Sequence, residues 1–381
     1  MAHKKILYIV GGLYYPNGMA QILSQKINYL AEKTDYDLYM VLTEREDLPW
    51  YYDMPDKVKW VNFDLNFDDL DEMPAIQRLM VYHKKNAEYK DLLEKYILEL
   101  KPDITISICR RELNFLNTIP DGSKKIGEFH FDRKSYRQFY KSFLPSFVNH
   151  AITDFWMDKM IREVRKLDAF VVLTSYDKKS WPEIDNVRVI PNAIRTVSDT
   201  KSSLKEKNVI AVGSYNHVKG YDMLFEAWKI VEQKYPDWHL NIYGNGKNDL
   251  FQQMAQSGGL KNVSCNSAVR DIYNKYRESS IFVMSSRHEG FGLAIAEAQS
   301  CGLPVVSFDC PYGPREIIND GKDGFLIEER NVELMAEEII YLIEHEEVRH
   351  EMGEAAILNS KRFDEDTVMK MWMDLFDSVL Y

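Results

Sequence analysis

Cysteine is scarce in this chain. Four occur in 381 residues, Cys109, Cys265, Cys301 and Cys310, and none forms a CxxC pair. That spacing excludes a disulfide framework and a four-cysteine zinc site, and it fits a reducing compartment. Long apolar runs are absent as well: no stretch approaches the ~20 apolar residues of a spanning helix. The opening Met1 to Lys5 followed by Ile6–Val10 has the outline of a signal sequence. The apolar run is short, however, stops at Gly11-Gly12 and lacks a small-residue cleavage site, so it reads as a buried strand. An excess of positive charge is missing too. Forty-eight Lys and Arg against 59 Asp and Glu leave −11 at pH 7, which disfavours a general polyanion binder, and no nucleic-acid partner is expected. No His or Cys cluster has metal-ligand spacing. The one Asp-x-Asp, Asp69-Leu-Asp71, sits in an acidic loop and reads as solvated surface. The glycines after the first apolar run, Gly11-Gly12 and Gly18, do not form the G-x-G-x-x-G turn of a nicotinamide dehydrogenase.

What is present suits a folded protein of about two or three domains, with 45% hydrophobic and 13% aromatic residues. Continuous apolar runs at Ile6–Val10, Asp37–Leu42, Ile104–Ile108, Lys125–Phe129 and Ala169–Leu173 predict strands covered on both faces. Helical spacing at Gln21–Lys33 and Tyr89–Leu100 lies between them. After a polar stretch at Thr196–Lys207, read as a linker, the alternation restarts with strands at Val209–Val212, Leu240–Tyr243, Ile281–Met284 and Val305–Phe308. This is an α/β pattern: two doubly wound parallel-sheet domains facing a central cleft. The expected bounds are 1–195, 206–363, and a helix over 364–381 that returns to pack on the first domain. Charge is uneven, with −1 over residues 1–190 and −10 over the rest.

The strand Ile281–Met284 runs into Ser285-Ser-Arg-His-Glu289-Gly290-Phe291-Gly292, and strong helix formers follow from Leu293 to Ser300. The amides of Phe291 to Ala294 then form a helix N-terminus at the carboxyl end of a parallel strand, which suits phosphate. Glu289 and Glu297 would repel that phosphate. They make sense as acceptors for sugar hydroxyls on either side of it, the order of parts in a nucleoside-diphosphate sugar.

The run Glu289-Gly-Phe-Gly-Leu-(x)3-Glu297-Ala, continuing to Gly302-Leu-Pro-Val, resembles the donor-site signature of family-4 retaining glycosyltransferases of the GT-B fold. Val212-Gly213-Ser-Tyr-Asn-His-Val-Lys219-Gly220 resembles that family's phosphate-binding turn. Val189-Ile-Pro-Asn-Ala-Ile194 resembles the close of its first domain, and Gly313-Pro-Arg-Glu-Ile-Ile318 is similar to bacterial surface-polysaccharide members. The resemblance implies transfer of a hexosyl or N-acetylhexosaminyl group, with retention, from a uridine-linked donor to a polysaccharide or lipid-linked saccharide. It implies that Glu289 contacts the transferred sugar and Glu297 the ribose diol. Lys219, with the amides of Phe291, Gly292 and Leu293, would lie against the diphosphate, and Gly290 and Ser214 would belong to the same donor site. Gly213 and Gly18 would allow close backbone approach, and His130 matches a histidine that contacts the donor sugar. No cofactor and no essential metal are expected.

One departure stands out: Ser214 occupies the place of a family arginine, with Arg287, Arg315 or a basic residue of the first domain as candidate substitutes. A basic stretch, Lys124 to Lys141, interleaved with aromatics as far as Trp156, suits peripheral contact with an anionic membrane. The expected location is accordingly the cytoplasm and the inner face of the plasma membrane. A helix with one core face and one solvated face accounts for the same stretch. The competing functions are a sugar-nucleotide epimerase, a phosphorylase of the same fold, and a nucleotide-sugar-binding protein without transfer.

Overall fold

The computed structural model describes residues 3–15, 18–133, 136, 146–195 and 201–381, without side chains at 71, 72, 75 and 76. Its chain packs as two compact units. Unit 1 comprises Met1–Leu173, Asp177–Ile190 and Met369–Tyr381, and unit 2 comprises Thr174–Tyr176 and Pro191–Val368.

Unit 1 contains β1 (Lys5–Ile9), β2 (Asp37–Leu42), β3 (Lys59–Asn62), β4 (Ile104–Ser107), β5 (Lys124–Glu128), β6 (Ala169–Val172) and β7 (Val187–Val189). They form one parallel sheet in the order β3-β2-β1-β4-β5-β6-β7. Unit 2 contains β8 (Asn208–Val212), β9 (His239–Gly244), β10 (Val263–Ser267), β11 (Ile281–Met284), β12 (Val305–Phe308) and β13 (Gly324–Ile327). These are also wholly parallel, in the order β10-β9-β8-β11-β12-β13. Strands β4, β6, β11 and β12 are buried at every residue, as continuous apolar runs require when helices cover both faces.

The helices follow from their apolar spacing. Leu224, Ala227, Trp228 and Val231 recur every three or four residues along the helix Tyr221–Lys234. They pack into one core with Val209, Ala211, Leu240 and Ile242 of the sheet. In unit 1, Leu93 and Ile97 of the helix Ala75–Leu100 do the same against Leu7, Ile9 and Val41. The last helix, Glu365–Leu380, passes from unit 2 into unit 1. Its Trp372 and Phe376 are buried, and the Lys26 ammonium lies 3.6 Å from the Trp372 ring centroid.

The boundaries differ from those expected. Unit 2 begins at Pro191 rather than 206, because Ile194 pairs with Asp364 and donates its N–H to Phe363 O at 2.9 Å. Within the expected linker, Ser202 and Leu204 anchor the chain, while Lys201, Ser203 and Lys205 are exposed. Leu204 is buried, Ser202 N donates to Cys301 O at 2.8 Å, and the Arg349 guanidinium caps Leu204 O. Residues 196–200 lie outside the described residues. The tail joins unit 1 at Met369 rather than 364.

The basic stretch is described only in part. Lys134, Arg137, Phe139, Tyr140, Lys141 and Phe143 lie outside the described residues. Of the rest, Lys124 pairs with Asp168 at 3.1 Å, Lys125 with Asp121 at 2.7 Å, and Arg133 with Glu183 at 2.7 Å. Those three cations each face a carboxylate. Among the described residues, no helix is long and apolar enough to cross a membrane.

Candidate functional site

The expected donor residues of unit 2 gather at the carboxyl ends of β8 and β11. These strands are neighbours, and their other partners lie on opposite sides, so the sheet order reverses between them. A crevice opens at such a switch point, and ligands of doubly wound sheets bind there.

After β8, the chain turns through His217–Lys219, capped by Asn216, whose Oδ1 accepts from Lys219 N at 3.2 Å. This turn is laced to the loop after β11. Arg287 N donates to Val218 O at 2.7 Å, and Ser285 Oγ donates to Lys219 O at 2.9 Å. Gly220 has φ +65, and a Cβ there would lie 2.1 Å from Ser285 O, so only glycine closes this seam. At Gly213 a Cβ would lie 2.7 Å from Lys219 Cε, so the glycine gives the lysine stem its path.

That path ends on Glu289. Lys219 Nζ lies 2.6 Å from Glu289 Oε1, and Ser286 Oγ donates to the same oxygen at 2.6 Å. The two side chains are 22% and 12% exposed, a half-sheltered pair that solvent screens only in part. Behind it, Gly292 takes φ +92 and opens the helix Leu293–Ser300, whose first turn closes with Ile295 N donating to Gly292 O at 2.8 Å. Phe291 is buried, its ring meeting Phe363 edge-on with centroids 5.3 Å apart. Gly290 and Leu293 are partly exposed on either side of it. Glu297 sits within the helix and is buried, accepting from Tyr276 Oη at 3.1 Å. Burial, then the Glu297 charge, pushes the Tyr276 phenol well above its ordinary range and keeps it a donor.

Lys219 and Glu289, expected to serve different parts of a ligand, are thus hydrogen-bonded to each other. Ser214 is exposed. Neither expected substitute for the missing arginine is uncommitted. Arg287 is bidentate on Asp222 at 2.9 and 2.5 Å, and Arg315 grips Asp309 through Nε at 2.8 Å and through a second nitrogen. Sequence reading missed Ser286 and Tyr276. A serine following a buried strand was a usable signal for the first, whereas nothing local marks the second.

Two expected residues belong to unit 1. His130 follows β5, with Nε2 3.2 Å from Glu128 Oε1. Glu128 is buried and also pairs with the buried Lys26. Burial pushes its carboxyl up, but the charges of Lys26 and His130 outweigh this and hold it well below the usual range, at about 2. Gly18 is exposed at the start of the helix Gly18–Lys33, and a Cβ there would meet nothing within 4 Å. Close packing therefore does not explain this glycine. Asp69 is half-exposed and lies 3.9 Å from Arg45. Among the described residues, no group of three or more His, Cys, Asp or Glu could hold a metal ion.

Comparison with known proteins adds to this geometry. Residues 195–358 match the family described as glycosyl transferases group 1. An uncharacterized glycosyltransferase of Haemophilus influenzae is 28% identical over 235 residues, covering 58% of this chain and 67% of the relative. The amylovoran biosynthesis glycosyltransferase AmsD of Erwinia amylovora is 31% identical over 235 residues, covering 56% of this chain and 66% of the relative. The matched region thus spans about two-thirds of each relative's length. Among solved structures, a TarM variant of S. aureus, in complex with fondaparinux, alpha-GlcNAc-glycerol and UDP, superposes with a TM-score of 0.77. It is 18% identical, over 98% of this chain and 99% of that one.

Proposed function

We propose that the protein transfers a hexosyl or N-acetylhexosaminyl group from a UDP-sugar, a reading supported by the match of residues 195–358 to the group 1 glycosyl transferases and by the GT-B fold. The acceptor in this reading is a hydroxyl of a polysaccharide or lipid-linked saccharide. One observation carries the proposal: the Lys219–Glu289 pair stands beside the N-terminus of a helix that holds a second, buried carboxylate, Glu297. UDP titrated calorimetrically into this protein is expected to give a single site, and a panel of UDP-sugars tests the donor.

The proposed roles follow from charge. The diphosphate takes the Lys219 ammonium and the positive end of the helix Leu293–Ser300, which stabilise the charge that grows on the leaving oxygen as the sugar–phosphate bond breaks. Glu297 accepts from the ribose diol, and Glu289 accepts from hydroxyls of the transferred sugar. Retention of configuration would come from attack on the face the leaving group vacates, with a leaving phosphate oxygen taking the acceptor's proton. No protein nucleophile and no metal is needed in this scheme. His130→Ala tests the sugar contact proposed for His130, since it should lower turnover and spare UDP affinity.

Support also comes from the names of relatives, which include an amylovoran biosynthesis enzyme and an alpha-N-acetylglucosaminyltransferase acting on poly(ribitol-phosphate). The experiment is a thermal-shift screen of UDP-sugars, where a ligand at 100 times its Kd adds ~2.7 kcal/mol. It is followed by transfer of radiolabelled sugar to saccharide acceptors. Conversion of the donor to its epimer without an acceptor would overturn the transferase reading.

A further inference from the structure

A second site lies wholly within unit 1. At the carboxyl ends of β2 and β3 a cavity of about 290 Å³ is lined by Tyr14, Glu44, Arg45, Trp50, Trp60 and Asn62, among others. Trp50 and Trp60 form an open corner there, with ring centroids 5.0 Å apart and planes inclined at 59°. Trp60 lies on the edge strand β3 and is 48% exposed, a large indole that the core does not use. Exposed indoles at a concave site mark recognition rather than folding.

The polar wall beside this corner is held in place. Glu44 is buried, and its two carboxylate oxygens accept from Thr43 Oγ1 at 3.1 Å and Asp68 N at 3.1 Å, which leaves each a further lone pair. Asn62 Nδ2 donates to Glu44 O at 2.9 Å, tying β3 to this wall. Three non-glycine residues here adopt left-handed backbone: Arg45 at φ 50, Asp64 at 48 and Asn66 at 51. Asn66 Oδ1 accepts from Arg45 N at 2.6 Å and Asn66 Nδ2 donates to Asp64 Oδ1 at 2.8 Å, so side chains hold the strained loops after β2 and β3 together.

We propose that this corner is a subsite for one uncharged pyranose ring of a glycan. The apolar CH face of a pyranose fits against an indole, and its hydroxyls can donate to the Glu44 carboxylate. The cavity is at the small end of ligand pockets, which suits a single ring rather than a chain. Its lining charge disfavours a phosphate. Glu44 and Glu46 line it, and Arg45, the one cation among its described lining residues, is held by Asp47 on Nε and on a terminal nitrogen at 3.1 Å each, with Asp69 at 3.9 Å. Naming the glycan as the acceptor rests on the transferase reading above, whereas the subsite itself does not.

The test is saturation-transfer NMR on the full chain. The probes are the methyl pyranosides of glucose, galactose, mannose and N-acetylglucosamine, with ribitol phosphate as the charged comparison. UDP affinity is measured alongside by calorimetry. At least one glycoside should receive saturation from the wild type and from Trp60→Phe, with binding roughly tenfold weaker in Trp60→Ala, while ribitol phosphate receives none. Trp60 is half-exposed on an edge strand, so unchanged UDP affinity will report an intact fold. Should Trp60→Ala misfold, Trp50→Ala carries the same expectation. The subsite is overturned if no glycoside responds, if all respond equally in the alanine variants, or if ribitol phosphate binds better. Absence of UDP binding with a Trp60-dependent glycoside signal would instead overturn the donor reading and leave the subsite standing.

Discussion

Removing the Glu289 charge should tighten the binding of free UDP while slowing transfer. Glu289 Oε1 lies 2.6 Å from Lys219 Nζ in the ligand-free chain, so a diphosphate must compete with a carboxylate for the ammonium. Exposed pairs contribute ~0.2–1 kcal/mol, and breaking a fully buried one costs ~3–5 kcal/mol. This pair, at 22% and 12% exposure, falls between, at about 1–2 kcal/mol. Glu289→Gln keeps an oxygen for the Ser286 hydroxyl but releases Lys219, so UDP affinity should rise by up to roughly tenfold. Calorimetric titration of UDP measures this, in the wild-type background and again with Lys219→Met. In the lysine-free background the glutamine substitution should change UDP affinity little, because the coupling then has no second partner. Turnover should fall in either background, since the proposed acceptor for the sugar hydroxyls is lost. Weaker UDP binding by Glu289→Gln, or an equal gain without Lys219, would refute the competition.

Glu297→Ala should weaken UDP and UDP-sugar alike by ~1.5–3 kcal/mol in titration calorimetry, because the ribose diol is common to both. Tyr276→Phe should weaken both less, since it removes only the hydroxyl that orients the carboxylate. Chelation with EDTA should leave transfer within about twofold, because the proposed site meets the charge of the leaving diphosphate with Lys219 and a helix N-terminus; loss of activity restored by manganese would count against this. In unit 1, the lowered carboxyl of Glu128 contributes stability above about pH 4.5 that is lost as pH falls towards about 2. Acid denaturation followed by circular dichroism should show that loss, and Glu128→Gln should abolish it while costing ~3–5 kcal/mol at neutral pH through the stranded Lys26.

All nine strands read from the sequence proved central or inner in their sheets. The four that were missed, β3, β7, β10 and β13, are the two edges of each sheet. The reason is burial. An inner strand such as Ile281-Phe-Val-Met is covered on both faces and shows a continuous apolar run. An edge strand such as Lys59-Trp-Val-Asn or Val263-Ser-Cys-Asn-Ser is half-covered, and its polar residues read as loop. The helix Ala75–Leu100 was recognised only from Tyr89, because Leu79 and Met80 in its first half are exposed and break the apolar stripe. In the site, the loop and helix from Glu289 to Ser300 were legible because glycines and helix formers are local signals. The pairing of Lys219 with Glu289 spans 70 positions and that of Tyr276 with Glu297 spans 21, and neither has a local signature.

The pairing is the more instructive part. Ser214 stands where the resembled family has an arginine, and the two arginines that could replace it are each bound to an aspartate. Lys219 is bound too, but by a carboxylate that the proposed function assigns to the donor's sugar. In the proposed donor site, diphosphate and sugar would therefore enter by exchange: as Lys219 turns to the phosphates, Glu289 would gain an unmet charge, and sugar hydroxyls would supply the donors it has lost. A nucleoside diphosphate without its sugar completes only half of that exchange and leaves a partly buried carboxylate short of partners. On this reading, the pair that weakens free UDP also favours the intact donor over the spent one.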